Sequence, residues 1–138
     1  MNIGILSLQG SYNKHVEKII SVAATPISVK YPDDFDNIDA LIIPGGESTT
    51  ISKLIQIGNI KDSIIEFAKK KPTWGTCAGL ILLACNIENN SKHVNQFNLL
   101  NVKIERNGWG RQVHSFAKNI KVKPIDKNIE AIFIRAPK

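Results

Sequence analysis

Arginine is nearly missing from this chain: three among 138 residues, at Arg106, Arg111 and Arg135. The lysines that make up the remaining positive charge are scattered from Lys14 to Lys138. Without an arginine-rich stripe or a stacking aromatic motif, the net charge of +6 does not amount to a nucleic-acid footprint. The densest run, Lys69-Lys70-Lys71, closes a predicted helix, where cations meet the negative end of the macrodipole. Cysteine is also scarce. The two present, Cys77 and Cys85, fall eight residues apart on one predicted helix, too far apart for a disulfide. A reducing cytoplasm is the expected compartment. No run approaches the roughly 20 apolar residues of a membrane span. The segment Met1–Leu8 lacks the basic start and apolar length of a signal peptide.

What is present suits one globular domain, with 43% apolar and 22% charged residues and neither repeat nor low-complexity tract. Ile3–Leu8 is a short apolar run ending at Gln9-Gly10. Ser11 then stands where it can cap a helix whose apolar positions Val16, Ile19, Ile20 and Ala23 recur at helical spacing. Ile27–Lys30 and Asp39–Ile43 read as further strands, the latter stopping at Pro44-Gly45-Gly46. Helical periodicity follows over residues 48–56 and 60–70, broken near Gly58-Asn59. Pro72–Trp74 is a brief strand, and Cys77–Cys85 a predicted helix rich in Ala and Leu. This alternation predicts an α/β fold, an open and mostly parallel sheet with helices on both faces. After Asn86 comes a polar loop without period. Beyond it Leu99–Glu105, Ser115–Val122 and Ala131–Ile134 carry no helix between them and predict an antiparallel extension.

The chemistry concentrates in Trp74-Gly75-Thr76-Cys77-Ala78-Gly79-Leu80. Glycines two before and two after the cysteine give the spacing of a nucleophile elbow, G-x-S-x-G, with a thiol in place of the hydroxyl. A strand turning directly into a helix presents the turning residue at the C-terminal edge of the sheet, where open α/β sheets place their sites. The helix start favours an anionic sulfur, and the Ala78 N–H points into the same space, ready for an oxyanion. A buried packing cysteine is the structural alternative for Cys77 and the favoured reading for Cys85. Pro44-Gly45-Gly46-Glu47-Ser48 follows the neighbouring buried strand. Its glycines can bring backbone N–H groups to a ligand, or simply make a turn.

Five segments carry a resemblance that spans the chain: LSLQGSYNKHV at 6–16, ALIIPGGESTTISKL at 40–54, WGTCAGLILLA at 74–84, LLNVKIERNGWGRQVHSF at 99–116 and FIRAP at 133–137. Together they resemble the glutaminase subunit of pyridoxal 5'-phosphate synthase, a class I glutamine amidotransferase. The resemblance implies a flavodoxin-like three-layer fold and hydrolysis of L-glutamine to glutamate and ammonia. The ammonia would serve a synthase subunit that assembles vitamin B6, in a hetero-oligomeric complex and with no cofactor on this chain. It implies Cys77 as nucleophile through a glutamyl thioester, and Gly45, Gly46 and Ala78 as the oxyanion hole. Substrate binding would fall to Gly46, Glu47, Ser48, Arg106, Ile134 and Arg135, an arginine forking onto the glutamine carboxylate and an acid meeting its ammonium. Gln9-Gly10 would lie near the synthase contact and the mouth of the site, and His15 on the solvent or interface side of the first helix.

Class I amidotransferases complete the site with a His-x-Glu pair on a later strand. Of His15, His93 and His114 only His15 has an acid two residues later, Glu17, and that pair stands on the predicted first helix, not on a later strand. The expectation is a single domain over 1–138, C-terminally incomplete relative to the family. Three readings follow: a fragment of a longer product, a natural truncation that only scaffolds or regulates the synthase, or a partner that supplies the base. A cysteine hydrolase or chaperone sharing the elbow is a further alternative, opposed by the Glu47-Ser48 and Arg106-Asn107 blocks.

Overall fold

The fold is that of a computed structural model, which describes residues 1–88, 94–106, 108, 115–123, 126–134 and 137–138. Strand β1 (Asn2–Leu6) lies at the inside of a four-stranded parallel sheet, with β2 (Thr25–Val29) on one side, then β3 (Ala40–Ile43) and β4 (Thr73–Gly75) on the other. The order β2-β1-β3-β4 is the start of the flavodoxin-like order. The inner strands β1 and β3 end in residues buried on both faces, and the period of two in a strand decides which side chain goes where. Ile5 and Ile42 point to one face and pack with Ile19 of helix α1 (Tyr12–Ser21). Leu6, Val29, Leu41 and Ile43 point to the other. There they meet Ile51 and Ile55 of α2 (Ser48–Ile57), Ile64 and Phe67 of α3 (Lys61–Lys70), and Ala78 and Leu82 of α4 (Ala78–Leu83). Three layers result, as the alternation of elements predicts.

The break near Gly58-Asn59 falls between α2 and α3, where Asn59 takes a left-handed conformation at φ 51°. Ser11 stands at the N-cap of α1 but donates and accepts no side-chain capping bond.

Two expectations fail after the elbow. The helix that begins there ends at Leu83, not Cys85, and passes without a loop into strand β5 (Ala84–Glu88). An apolar run such as Leu82-Leu83-Ala84 has no period that separates a buried helix from a buried strand. Cys85 therefore alternates outward on the strand. It is exposed and free, not the packing residue expected. Residues 100–105 also depart from expectation: β6 (Leu100–Glu105) pairs with β5 in parallel, Ile87 opposite Ile104, and belongs to no antiparallel unit. The cause is the segment before it. Val94 and Phe97 are buried in the core, Asn95 N–H donates to Ser52 Oγ at 2.9 Å, and Phe97 N–H donates to the Leu82 carbonyl at 2.7 Å. This carries the chain back to the start of β5 before β6 begins. The antiparallel pairing expected further on is present as β7 (Phe116–Val122) with β8 (Lys127–Phe133), closed at one end by stacked Phe116 and Phe133 rings 4.8 Å apart.

Candidate active site

The two glycine-bearing loops meet because β3 and β4 are neighbours and end at the same edge, Ile43 opposite Gly75. Thr76 N–H donates to the Ile43 carbonyl at 3.0 Å and extends the pairing one residue past β4. The chain then reverses at Cys77, which takes φ 48° and ψ −104°, a strained conformation for a residue with a side chain. Helix α4 starts at the next residue, so the Ala78 N–H belongs to the unpaired first turn. The flanking glycines make this possible by their lack of volume. A Cβ on Gly79 would land on the Ile43 carbonyl oxygen, and one on Gly75 would sit 2.5 Å from the Gly79 carbonyl carbon. The elbow read from spacing is an elbow in space, and Cys77 is partly buried at its apex.

Gly45 passes so close to the elbow that an added Cβ would stand 3.3 Å from the Cys77 Cβ. The loop after β1 joins them. Ser11 N–H donates to the Gly45 carbonyl at 3.3 Å, and Glu47 N–H donates to Gln9 Oε1 at 3.2 Å. Gly10, at φ 106°, lets this loop lie directly against Gly45. Three βα loops thus converge on a cavity of about 450 Å³ lined by Gln9, Gly10 and Ser11, by Gly46, Glu47 and Ser48, and by Cys77, Ile81, Arg106 and Ile134.

The structure brings together most of the site residues expected from sequence. Cys77, Gly46, Glu47, Ser48, Arg106 and Ile134 all line the cavity, with Gly45 against the Cys77 Cβ and Ala78 next in the chain at the start of α4. Arg135 lies outside the described residues, as do Asn107, His93 and His114. Gln9 and Gly10, expected near the synthase contact and the mouth of the site, line the cavity. His15 is not a lining residue. Its ring is partly buried, edge-on to Trp74 at 5.9 Å, and burial lowers its pKa from 6.5. Among the described lining residues there is no histidine. Among the described residues no cluster of three or more metal-ligating side chains occurs either.

Two things escaped sequence reasoning. Ile81 stands four residues after Cys77, one helical turn on, and so shares its side of α4. Glu47 does more than face a ligand. It is the N-cap of α2, accepting from Thr49 N–H at 3.1 Å, Thr50 N–H at 2.6 Å and Thr50 Oγ1 at 2.9 Å. Burial alone would raise its pKa, but these threonine donors together outweigh it and hold the carboxyl down to about 2. Arg106 Nη2 approaches Glu47 Oε1 at 3.5 Å and Thr49 Oγ1 at 3.5 Å. The acid followed by two threonines at a helix start was the available signal. It was missed because Ser, Thr, Asp and Asn are the customary caps.

A parallel α/β sheet with a cysteine elbow at its C-terminal edge, beside a glycine-rich loop, is the geometry of the nucleophile-elbow proteins with a thiol at the apex. Residues 5–138 match the SNO glutamine amidotransferase family, and the chain belongs to it. The chain is 46% identical over 137 residues to the pyridoxal 5'-phosphate synthase subunit PdxT of Caldicellulosiruptor saccharolyticus, covering 99% of this chain and 72% of that protein. It is 45% identical over 136 residues to the PdxT of Francisella tularensis, covering 99% of this chain and 71% of that one. Among solved structures, a glutamine amidotransferase crystal structure superposes with a TM-score of 0.88 at 35% identity, over 98% of this chain and 71% of that chain.

Proposed function

We propose that this chain is the glutaminase subunit of a pyridoxal 5'-phosphate synthase, releasing ammonia from L-glutamine for vitamin B6 synthesis. The observation that carries the reading is Cys77 at the strained apex of the elbow, packed beside the Gly45-Gly46 loop on the wall of a cavity that also holds an arginine. The Cys77 sulfur attacks the side-chain amide carbon of glutamine, and the carbonyl oxygen becomes an oxyanion. The N–H groups of Ala78 and the Gly45-Gly46 loop receive that charge. The C–N bond breaks, the nitrogen takes the proton that the Cys77 thiol gives up and leaves as ammonia, and a glutamyl thioester remains. Water then cleaves the thioester, returning the thiol and releasing glutamate. Arg106, with Gly46, Glu47 and Ser48, orients the amino-acid end, and Ile134 and Ile81 flank it. Arg135 is assigned to the same end on the family resemblance. The synthase subunit is the partner that receives the ammonia.

One observation favours a second reading, a subunit that binds and regulates the synthase without catalysis: no described lining residue is a histidine able to serve as base. The experiment separates the two. In the complex with the synthase subunit, a glutamine analogue with an electrophilic side chain should modify Cys77 and leave the exposed Cys85 untouched. Glutamine-dependent ammonia release should vanish in Cys77→Ala. Absence of the adduct in folded complex would sink the catalytic reading, and tight synthase binding without ammonia release would establish the scaffold.

A further inference from the structure

The family resemblance casts Glu47 as a partner for the substrate ammonium, but its hydrogen bonds give it different work. A carboxylate offers about four acceptor sites on its two oxygens. Oε1 takes the Thr49 N–H at 3.1 Å and faces Arg106 Nη2 at 3.5 Å. Oε2 takes the Thr50 N–H at 2.6 Å and the Thr50 hydroxyl at 2.9 Å. An incoming ammonium would compete with these donors for the same two oxygens, and three of them come from the first turn of the helix that Glu47 caps. The Arg106 side chain is 19% exposed and meets the start of α2 at Glu47 Oε1 and Thr49 Oγ1, each 3.5 Å from Nη2.

We infer that Glu47 is a positioning residue: with Thr49 it fixes the Arg106 guanidinium against the start of α2, and it acts on the substrate through that arginine instead of by meeting the ammonium. The carboxylate end of the ligand is then the end whose recognition depends on Glu47. Thr49 and Thr50 become parts of the same device, one presenting its hydroxyl to the arginine and the other fastening the acid. This rests on the reading of L-glutamine as substrate.

Two measurements on the full chain with its synthase subunit test it. Glu47→Asp is the informative variant, since aspartate is a preferred N-cap that keeps α2 intact while drawing its oxygen back from Arg106 by one methylene. Calorimetric binding is compared for L-glutamine, for 4-carbamoylbutanoate, which lacks the ammonium, and for 4-aminobutanamide, which lacks the carboxylate. Glu47→Asp should weaken the first two by the same factor, about tenfold, and leave the third at its wild-type affinity. Weakening of L-glutamine with unchanged 4-carbamoylbutanoate binding would overturn the inference, because the acid would then be serving the ammonium. The second measurement needs no substrate: phenylglyoxal modification of Arg106, followed by peptide mass, should run several-fold faster in Glu47→Asp. An unchanged rate would likewise overturn it. If the wild-type complex fails to bind L-glutamine, the substrate reading falls, and the arginine modification still decides whether Glu47 holds Arg106.

Discussion

At the scale of single residues, the site is built from side chains that are small or already committed. Gly79 sits against the Ile43 carbonyl so tightly that a methyl group meets backbone, which cannot yield as a flexible side chain would. Gly79→Ala should therefore destabilise the fold by about 3 kcal/mol, read as a lower urea midpoint at unchanged slope. Glu47 contributes through its cap. Glu47→Ala removes the acceptor for two backbone N–H groups and should cost about 1 kcal/mol. Its pH dependence has a definite sign. The folded carboxyl titrates at about 2 and the free group at 4.5, so the cap stabilises fully above 4.5 and the benefit fades as pH falls toward 2. Between those limits wild type should lose stability relative to Glu47→Ala, the difference shrinking with acid in paired denaturant titrations. Half of the Glu47 side chain is open to water, which keeps the effect near that of an ordinary cap.

At the scale of elements, the segment before β6 decides how the second half of the chain runs. Phe97 is 5% exposed, and its N–H and that of Leu99 donate to the last carbonyls of α4, at 2.7 and 3.0 Å. Polar composition marks residues 86–98 as a loop, but Asn86–Glu88 belong to β5, residues 89–93 lie outside the described residues, and 94–98 carry no regular structure. What composition could not reveal is that two apolar residues within it, Val94 and Phe97, anchor it in the core beside α2 and α4. Phe97→Ala should cost about 3 to 5 kcal/mol and, because it unpins the return path, speed hydrogen exchange at the amides of β6 more than at those of β1 or β3. Uniform acceleration throughout the molecule would mean that the segment has no separate role in holding β6. Helices α2 and α3 illustrate the opposite case. Their break at Gly58-Asn59 was legible because punctuation by glycine and a left-handed asparagine is local chemistry.

At the scale of the whole molecule, the two faces of the sheet are unequal. One carries α2, α3 and α4 over a large cluster, while the other carries α1 over Ile5 and Ile42. The row Ile5, Ile42, Trp74 crosses three strands on the α1 face and ends in a tryptophan 59% exposed, met by the edge of His15. That contact between the first helix and the last strand of the sheet gives a global reporter. Burial disfavours the protonated ring, so His15 should titrate below 6.5, and the fold should lose stability as pH drops through that region. In a Trp109→Phe background, Trp74 emission should change with a midpoint below 6.5, and His15→Gln should flatten the profile. A pH-independent Trp74 in the parent would contradict the contact.

The sequence by itself determined the elbow, the glycine-rich loop, the four parallel strands with their helices and the identity of most cavity residues. The elbow, the loop and the strands follow from glycine at fixed offsets and from helical and strand periods, while Glu47, Ser48, Arg106 and Ile134 were named by the family resemblance of the segments that carry them. Four matters were left to the tertiary structure. The parallel pairing of β5 with β6 depends on which apolar side chains of a polar segment find the core, and the exposure of Cys85 on where an unpatterned apolar run stops being helical. The entry of Gln9 and Gly10 into the cavity depends on two loops hydrogen-bonding across strands 38 residues apart in the chain. The commitment of Glu47 to its helix and to Arg106 depends on which donors surround it. A side chain's type is written in the sequence, but its partners are set by distance, and distance exists only after folding.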